Sequence, residues 1–90
     1  MKQYHIGLFG ATGATGLEVA KQSLLQNDKL TILVRKPSKV DVSLQESPNV
    51  TIIQGDARNV NDVDKVVGSG IDGVINTVGM VLALKLDVLV

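Results

Sequence analysis

The chain has 90 residues, with nine Lys or Arg against nine Asp or Glu, so its formal charge is zero and no overall field draws it to nucleic acid or to an anionic membrane. It contains no cysteine, which excludes disulfides, thiolate catalysis and Cys-ligated metals, and no metal site is expected. Apolar residues make up 44% of the chain while Phe, Tyr and Trp are represented only by Phe9 and Tyr4, so one small aliphatic core is expected and a second domain is excluded by size.

The first residues lead into Ile6–Phe9, a short apolar run that reads as a strand and is too short for the apolar centre of a signal peptide. No apolar run reaches the roughly 18 residues of a membrane span, and a cytoplasmic protein with no membrane contact is expected. After a glycine-rich loop, Leu17, Ala20, Leu24 and Leu25 fall on one helical stripe that a polar break at Asn27-Asp28-Lys29 ends. Leu30–Val34 is a β-branched second strand. The stretch from Arg35 to Asn49 is polar, holds both prolines and reads as a loop with at most one helical turn around Val40, Val42 and Leu44. Val50–Ile53 is a third strand, followed by Val60, Val63, Val66 and Val67 at helical spacing, with Asn59 or Asn61 as cap and Gly68-Ser69-Gly70 as stop. Gly73–Val78 is a fourth strand, whereas the tail from Met80 to Val90 alternates without deciding between strand and helix. Strands that alternate with helices predict an α/β fold: a Rossmann-type parallel sheet of about four strands with flanking helices, over residues 1–79, and a divergent or truncated tail over residues 80–90.

Gly10-Ala11-Thr12-Gly13-Ala14-Thr15-Gly16 lies directly between a predicted strand and a predicted helix. A dinucleotide pyrophosphate binds the free N–H groups and positive end of a helix where the backbone can approach closely, and glycine permits that approach. In this arrangement Gly10 makes the turn, Gly13 leaves room for the pyrophosphate and Gly16 lets helix and strand pack, with Thr12 and Thr15 as hydroxyl donors. A triphosphate-binding loop is disfavoured, because Leu17-Glu18 stands where Gly-Lys-Ser/Thr would be completed.

The end of the second strand chooses between the nicotinamide cofactors: a carboxylate there reads the ribose of NAD, and an arginine accommodates the 2′-phosphate of NADP. Here it carries Arg35, with Lys36 and Lys39 nearby and no acid before Asp41, so NADP(H) is expected in preference to NAD(H).

Gly10-Ala-Thr-Gly-Ala-Thr-Gly16, Leu33-Val-Arg-Lys36, Gly55-Asp56 and Asn76-Thr-Val-Gly79 together resemble the atypical short-chain dehydrogenase/reductases, nearest to the NmrA-like and biliverdin reductase B (flavin reductase) groups, over about residues 4 to 79. The resemblance implies that Gly10–Gly16 cradle the pyrophosphate, that Arg35 and Lys39 hold the 2′-phosphate, that Asp56 and Ala57 edge the adenine, and that Thr77, Val78 and Gly79 line the ribose and nicotinamide side. It implies an NADP(H)-dependent oxidoreductase acting on a small organic acceptor such as a flavin or quinone. An NmrA-like redox-sensing regulator that binds without turnover, and a nucleotide-sugar epimerase-like member, are alternatives from the same motifs.

Two departures limit the implication. The family continues with further strands and the substrate pocket, so this chain is expected to be the cofactor half and its substrate is not legible. The Tyr-x-x-x-Lys pair of the broader superfamily is missing, since Tyr4 is followed by Leu8 at the lysine position; no catalytic acid or base is assignable, and His5 is expected merely to flank the first strand. An uncovered sheet edge predicts self-association or marginal stability.

Overall fold

A computed structural model describes residues 3–77. The elements in chain order are β1 (His5–Phe9), α1 (Ala14–Leu25), β2 (Lys29–Val34), a single 3-10 turn (Pro37–Lys39), α2 (Val42–Gln45), β3 (Val50–Gln54), α3 (Val60–Val67) and β4 (Gly73–Asn76). The four strands form one parallel sheet in the order β3-β2-β1-β4, with Leu8 level with Ile32 and Ile75, and Ile32 level with Ile52. The chain steps outward from β1 to β3 and then returns across the sheet to place β4 on the other side of β1. Because crossovers keep one hand, this reversal sends α3 to the opposite face from α1.

The sheet is consequently buried on both faces, and its strands read as continuous apolar runs for that reason. Leu8, Leu30, Ile32 and Val34 pack with Ala20, Val40 and Leu44 on the face of α1 and α2, while Phe9 and Leu33 pack with Val63 and Val66 under α3. The first cluster has eight buried residues against four in the second, so at roughly 1.5–3 kcal/mol per large buried aliphatic side chain the α1 face carries most of the apolar stabilisation.

Helix α1 begins three residues earlier than the stripe predicts and uses a different face. Gly16, Ala20 and Ser23 are buried, Leu17 and Leu24 pack at the margin, and Leu25 is 80% exposed, so the expected place of Leu25 in the core is corrected. Small residues bring the helix close to the sheet, which turns Leu25, about 100° round from Leu24, towards solvent. The polar break closes the helix through Asn27, whose φ of 64° is left-handed: Asn27 N–H donates to Leu24 O at 3.0 Å and Asp28 N–H to Ser23 O at 3.0 Å, satisfying the last carbonyls. Asp28 is buried, and its carboxylate accepts Tyr4 N–H at 3.0 Å.

Between β2 and β3 the chain makes the 3-10 turn and the one turn of α2, capped by the Asp41 carboxylate accepting Ser43 N–H at 3.0 Å. Val40 and Leu44 enter the core and Val42, 61% exposed, does not. Helix α3 is capped by Asn59, whose Oδ1 accepts from Asn61 N at 2.9 Å and Asp62 N at 3.3 Å; Val63 and Val66 are buried and Val60 is half-exposed. Strand β4 ends at Asn76, so Thr77 stands just past it. The expected sites at Val78 and Gly79, the boundary after residue 79 and the tail from 80 to 90 lie outside the described residues.

Candidate functional site

The carboxyl ends of all four strands open into one cleft, with Gly10 after β1, Arg35 after β2, Gly55 and Asp56 after β3, and Thr77 after β4. In open α/β sheets the crevice at the point where strand order reverses is the ligand position, and here it lies between β1 and β4.

Each glycine of the loop after β1 answers to a different neighbour. Gly10 has a φ of 96°, which a side chain would strain, and its carbonyl accepts Gly13 N–H at 3.1 Å to close the turn. A Cβ on Gly16 would sit 1.9 Å from Gly10 O and 2.7 Å from Thr77 Oγ1, so α1 rests directly on the loop. A Cβ on Gly13 would meet only Gly10 O, at 3.6 Å, an ordinary contact. Nothing within the protein demands glycine there; the space a side chain would fill is the mouth of the cleft in front of α1. Gly13 is also the N-cap of α1 without any side-chain cap, and the first turn holds no acid. The helix end therefore presents N–H groups and positive dipole to the cleft unopposed.

Thr77 ties the loop to the sheet: its hydroxyl donates to Phe9 O at 2.9 Å, with Gly10 O at 3.3 Å, and its N–H donates to Phe9 O at 2.9 Å. It lines the cleft, and the donor capacity of its hydroxyl is engaged by backbone.

Two cavities of about 370 Å³ each occupy the cleft. One is lined by Gly10, Thr12, Gly13, Asp56, Ala57 and Thr77 among others; the other by Thr12, Arg35, Lys36 and Lys39. Thr12 and Arg35 line both, so the two are neighbours. The three cations of the second cavity are exposed, and none of them has an ion pair among the described residues. Ala14 and Thr15 lie in the exposed first turn of α1 and line neither cavity.

Arg58 is a cleft residue that the sequence reading missed. Its guanidinium donates to Asp56 from Nε at 3.2 Å and Nη2 at 3.0 Å, and its backbone N–H donates to Asp56 Oδ1 at 2.8 Å. These bonds, with the charges of Arg58 and Arg35, lower the Asp56 carboxyl to about 2 and raise the Arg58 pKa in return. The i,i+2 spacing of an acid and an arginine straight after a strand was the available signal. Behind them, Asp62 Oδ2 accepts Asp56 N–H at 3.0 Å, and a Cβ on Gly55 would lie 2.8 Å from the Asp62 carboxyl carbon, which accounts for the glycine. His5 opens β1 at the opposite end of the strands, its Nε2 2.6 Å from Thr31 Oγ1, and is remote from the cleft. Among the described residues no helix is long and apolar enough to cross a membrane.

A family described as NAD(P)H-binding matches residues 10–83, most of the chain. The chain belongs to that family. Its fold recurs in solved structures: an enzyme of Bordetella bronchiseptica, WbmH, in complex with NAD⁺, at 19% identity and a TM-score of 0.73 over 89% of this chain and 27% of that one; a thiolation-reductase di-domain of an archaeal non-ribosomal peptide synthetase, at 24% identity and 0.69 over 97% and 28%; and a putative epimerase of Bacteroides thetaiotaomicron, at 28% identity and 0.70 over 83% and 33%. This NAD(P)H-binding chain thus spans about a third or less of the length of those proteins. Together the family and the fold make it a nicotinamide-dinucleotide-binding chain with a Rossmann-type parallel sheet.

Proposed function

We propose that this domain binds NADP(H) in preference to NAD(H) and serves a reductase of a small organic acceptor such as a flavin or quinone. The observation that carries the cofactor choice is the second cavity, where Arg35, Lys36 and Lys39 converge beside the helix-end cavity with no acid lining it. In this reading Gly10, Thr12, Gly13, Ala14, Thr15 and Gly16 hold the pyrophosphate against the N-terminus of α1, which the space at Gly13 accommodates. Arg35 and Lys39 meet the 2′-phosphate, Arg35 with the fork that suits a phosphate bidentately. Asp56 and Ala57 edge the adenine, and Thr77 faces the ribose and nicotinamide side, to which the resemblance also assigns Val78 and Gly79. The bound nicotinamide supplies hydride chemistry, and the chain's own residues supply binding and orientation.

Calorimetric titration with NADP⁺ and NAD⁺, on the wild type and on Arg35→Ala, tests the reading. Preferential NADP⁺ binding that the variant loses supports it; equal binding of the two cofactors, or none by a folded chain, overturns it. A nucleotide-sugar epimerase-like role is favoured by the likeness to the putative epimerase at 28% identity. Steady oxidation of NADPH by the complete protein with a flavin or quinone separates the reductase from that role, in which no net cofactor is consumed.

A further inference from the structure

The strand register, continued by one residue, brings Arg35 level with Gly55, and so places Asp56 at the same end of the sheet. Val34 is level with Gln54 in the β2–β3 register, Gly55 N–H donates to Val34 O at 2.9 Å, and Gln54 Nε2 donates to Arg35 O at 3.4 Å, so the first residues past each strand are held together. Both side chains line the first cavity. A carboxylate beside the proposed phosphate-binding arginine poses a problem, since opposite charges attract and an exposed arginine can swing onto it. In this structure the Asp56 carboxylate is instead taken by Arg58 through both oxygens, and Arg35 has no ion pair among the described residues.

Resting on the NADP(H) reading above, we propose that Arg58 is a specificity-determining positioning residue: by occupying the Asp56 carboxylate it keeps Arg35 free for the 2′-phosphate, and it cancels a negative charge that would repel that phosphate. Without Arg58, Asp56 competes with the cofactor for Arg35, and the competition touches only the cofactor that carries the extra phosphate. The pair is exposed, with Arg58 at 62% and Asp56 at 34% side-chain exposure, so the effect is bounded by solvent screening.

The test is the ratio of NADP⁺ to NAD⁺ affinity in wild type, Arg58→Ala, Asp56→Asn and the double variant. Asparagine keeps an oxygen that can accept Arg58 N–H, so the loop after β3 retains its bond. Arg58→Ala is expected to weaken NADP⁺ by a few-fold while changing NAD⁺ much less, and adding Asp56→Asn is expected to restore the wild-type ratio. Equal loss for both cofactors overturns the proposal, making Arg58 merely a support of the loop. A selective NADP⁺ loss that Asp56→Asn fails to rescue also overturns it, making Arg58 a direct phosphate ligand. A wild type with no NADP⁺ preference removes the underlying reading, whereas a preference that survives in Arg58→Ala removes this inference alone.

Discussion

The loop after β1 and the loop after β2 face the same cleft and are built on opposite plans. In the first, position is dictated by contact: Gly16 lies against the Gly10 carbonyl, Thr77 bonds the same stretch of backbone, and a single carbon added at Gly16 has nowhere to go. In the second, Arg35, Lys36 and Lys39 are exposed and free of ion pairs among the described residues. Shape is expensive to alter and insensitive to solution conditions, whereas exposed charge is cheap to alter and screened by salt. A substitution at Gly16 should therefore register as stability, and one in the second loop as selectivity.

The largest expected effect comes from Gly16→Ala, which drives a methyl into backbone that cannot yield and should cost about 3 kcal/mol or more of folding stability, read as a fall in urea midpoint. A variant as stable as wild type would break the comparison at its root. Gly13→Ala sharpens it, because the methyl finds ordinary contact inside the protein while occupying the cleft mouth. Stability should stay within about 1 kcal/mol, the poorer helix cap being offset by a stiffer unfolded chain, while dinucleotide affinity falls by more than about tenfold. Lys39→Ala should leave the melting curve unchanged and weaken NADP⁺ by a few-fold; raising ionic strength from about 0.01 to about 1 M, which shortens the screening length tenfold, should weaken NADP⁺ binding more than NAD⁺ binding, as titrations at several salt concentrations would show.

The smallest effect is on acid stability. The Asp56 carboxyl is lowered to about 2 from an ordinary 3.8. A group depressed by folding stabilises the fold above its unfolded value, and that contribution is lost as pH falls through the folded one. Asp56→Asn should thus narrow the stability difference between pH 5 and about pH 2, measured as urea midpoints, by lowering the midpoint slightly at pH 5 and above and hardly changing it at pH 2.

Much of this arrangement was legible in the residues. The strands were readable because a sheet covered on both faces needs apolar side chains at successive positions, as in Leu30-Thr-Ile-Leu-Val34, and the loop after β1 because its glycines stand between a strand and a helix. The face of α1 was not readable: hydrophobic spacing weighs Leu25 above Gly16, yet close packing selects the smaller residue. Arg58 was missed because its place depends on a bond to Asp56, which periodicity does not reveal. Thr77 lines the cleft, and that its hydroxyl is engaged by Phe9 and Gly10 depends on a pairing between the first strand and the last one described.

That pairing also sets an order of events. Thr77 and Gly10 are 67 positions apart, so the backbone turn at the mouth of the cleft is fastened only after β4 has docked against β1. During synthesis the turn leaves the ribosome well before β4 and waits, unfastened, for the rest of the described chain to follow. Closing so long an interval is slow relative to forming the local helices, so cofactor binding should be among the last properties acquired as the chain folds.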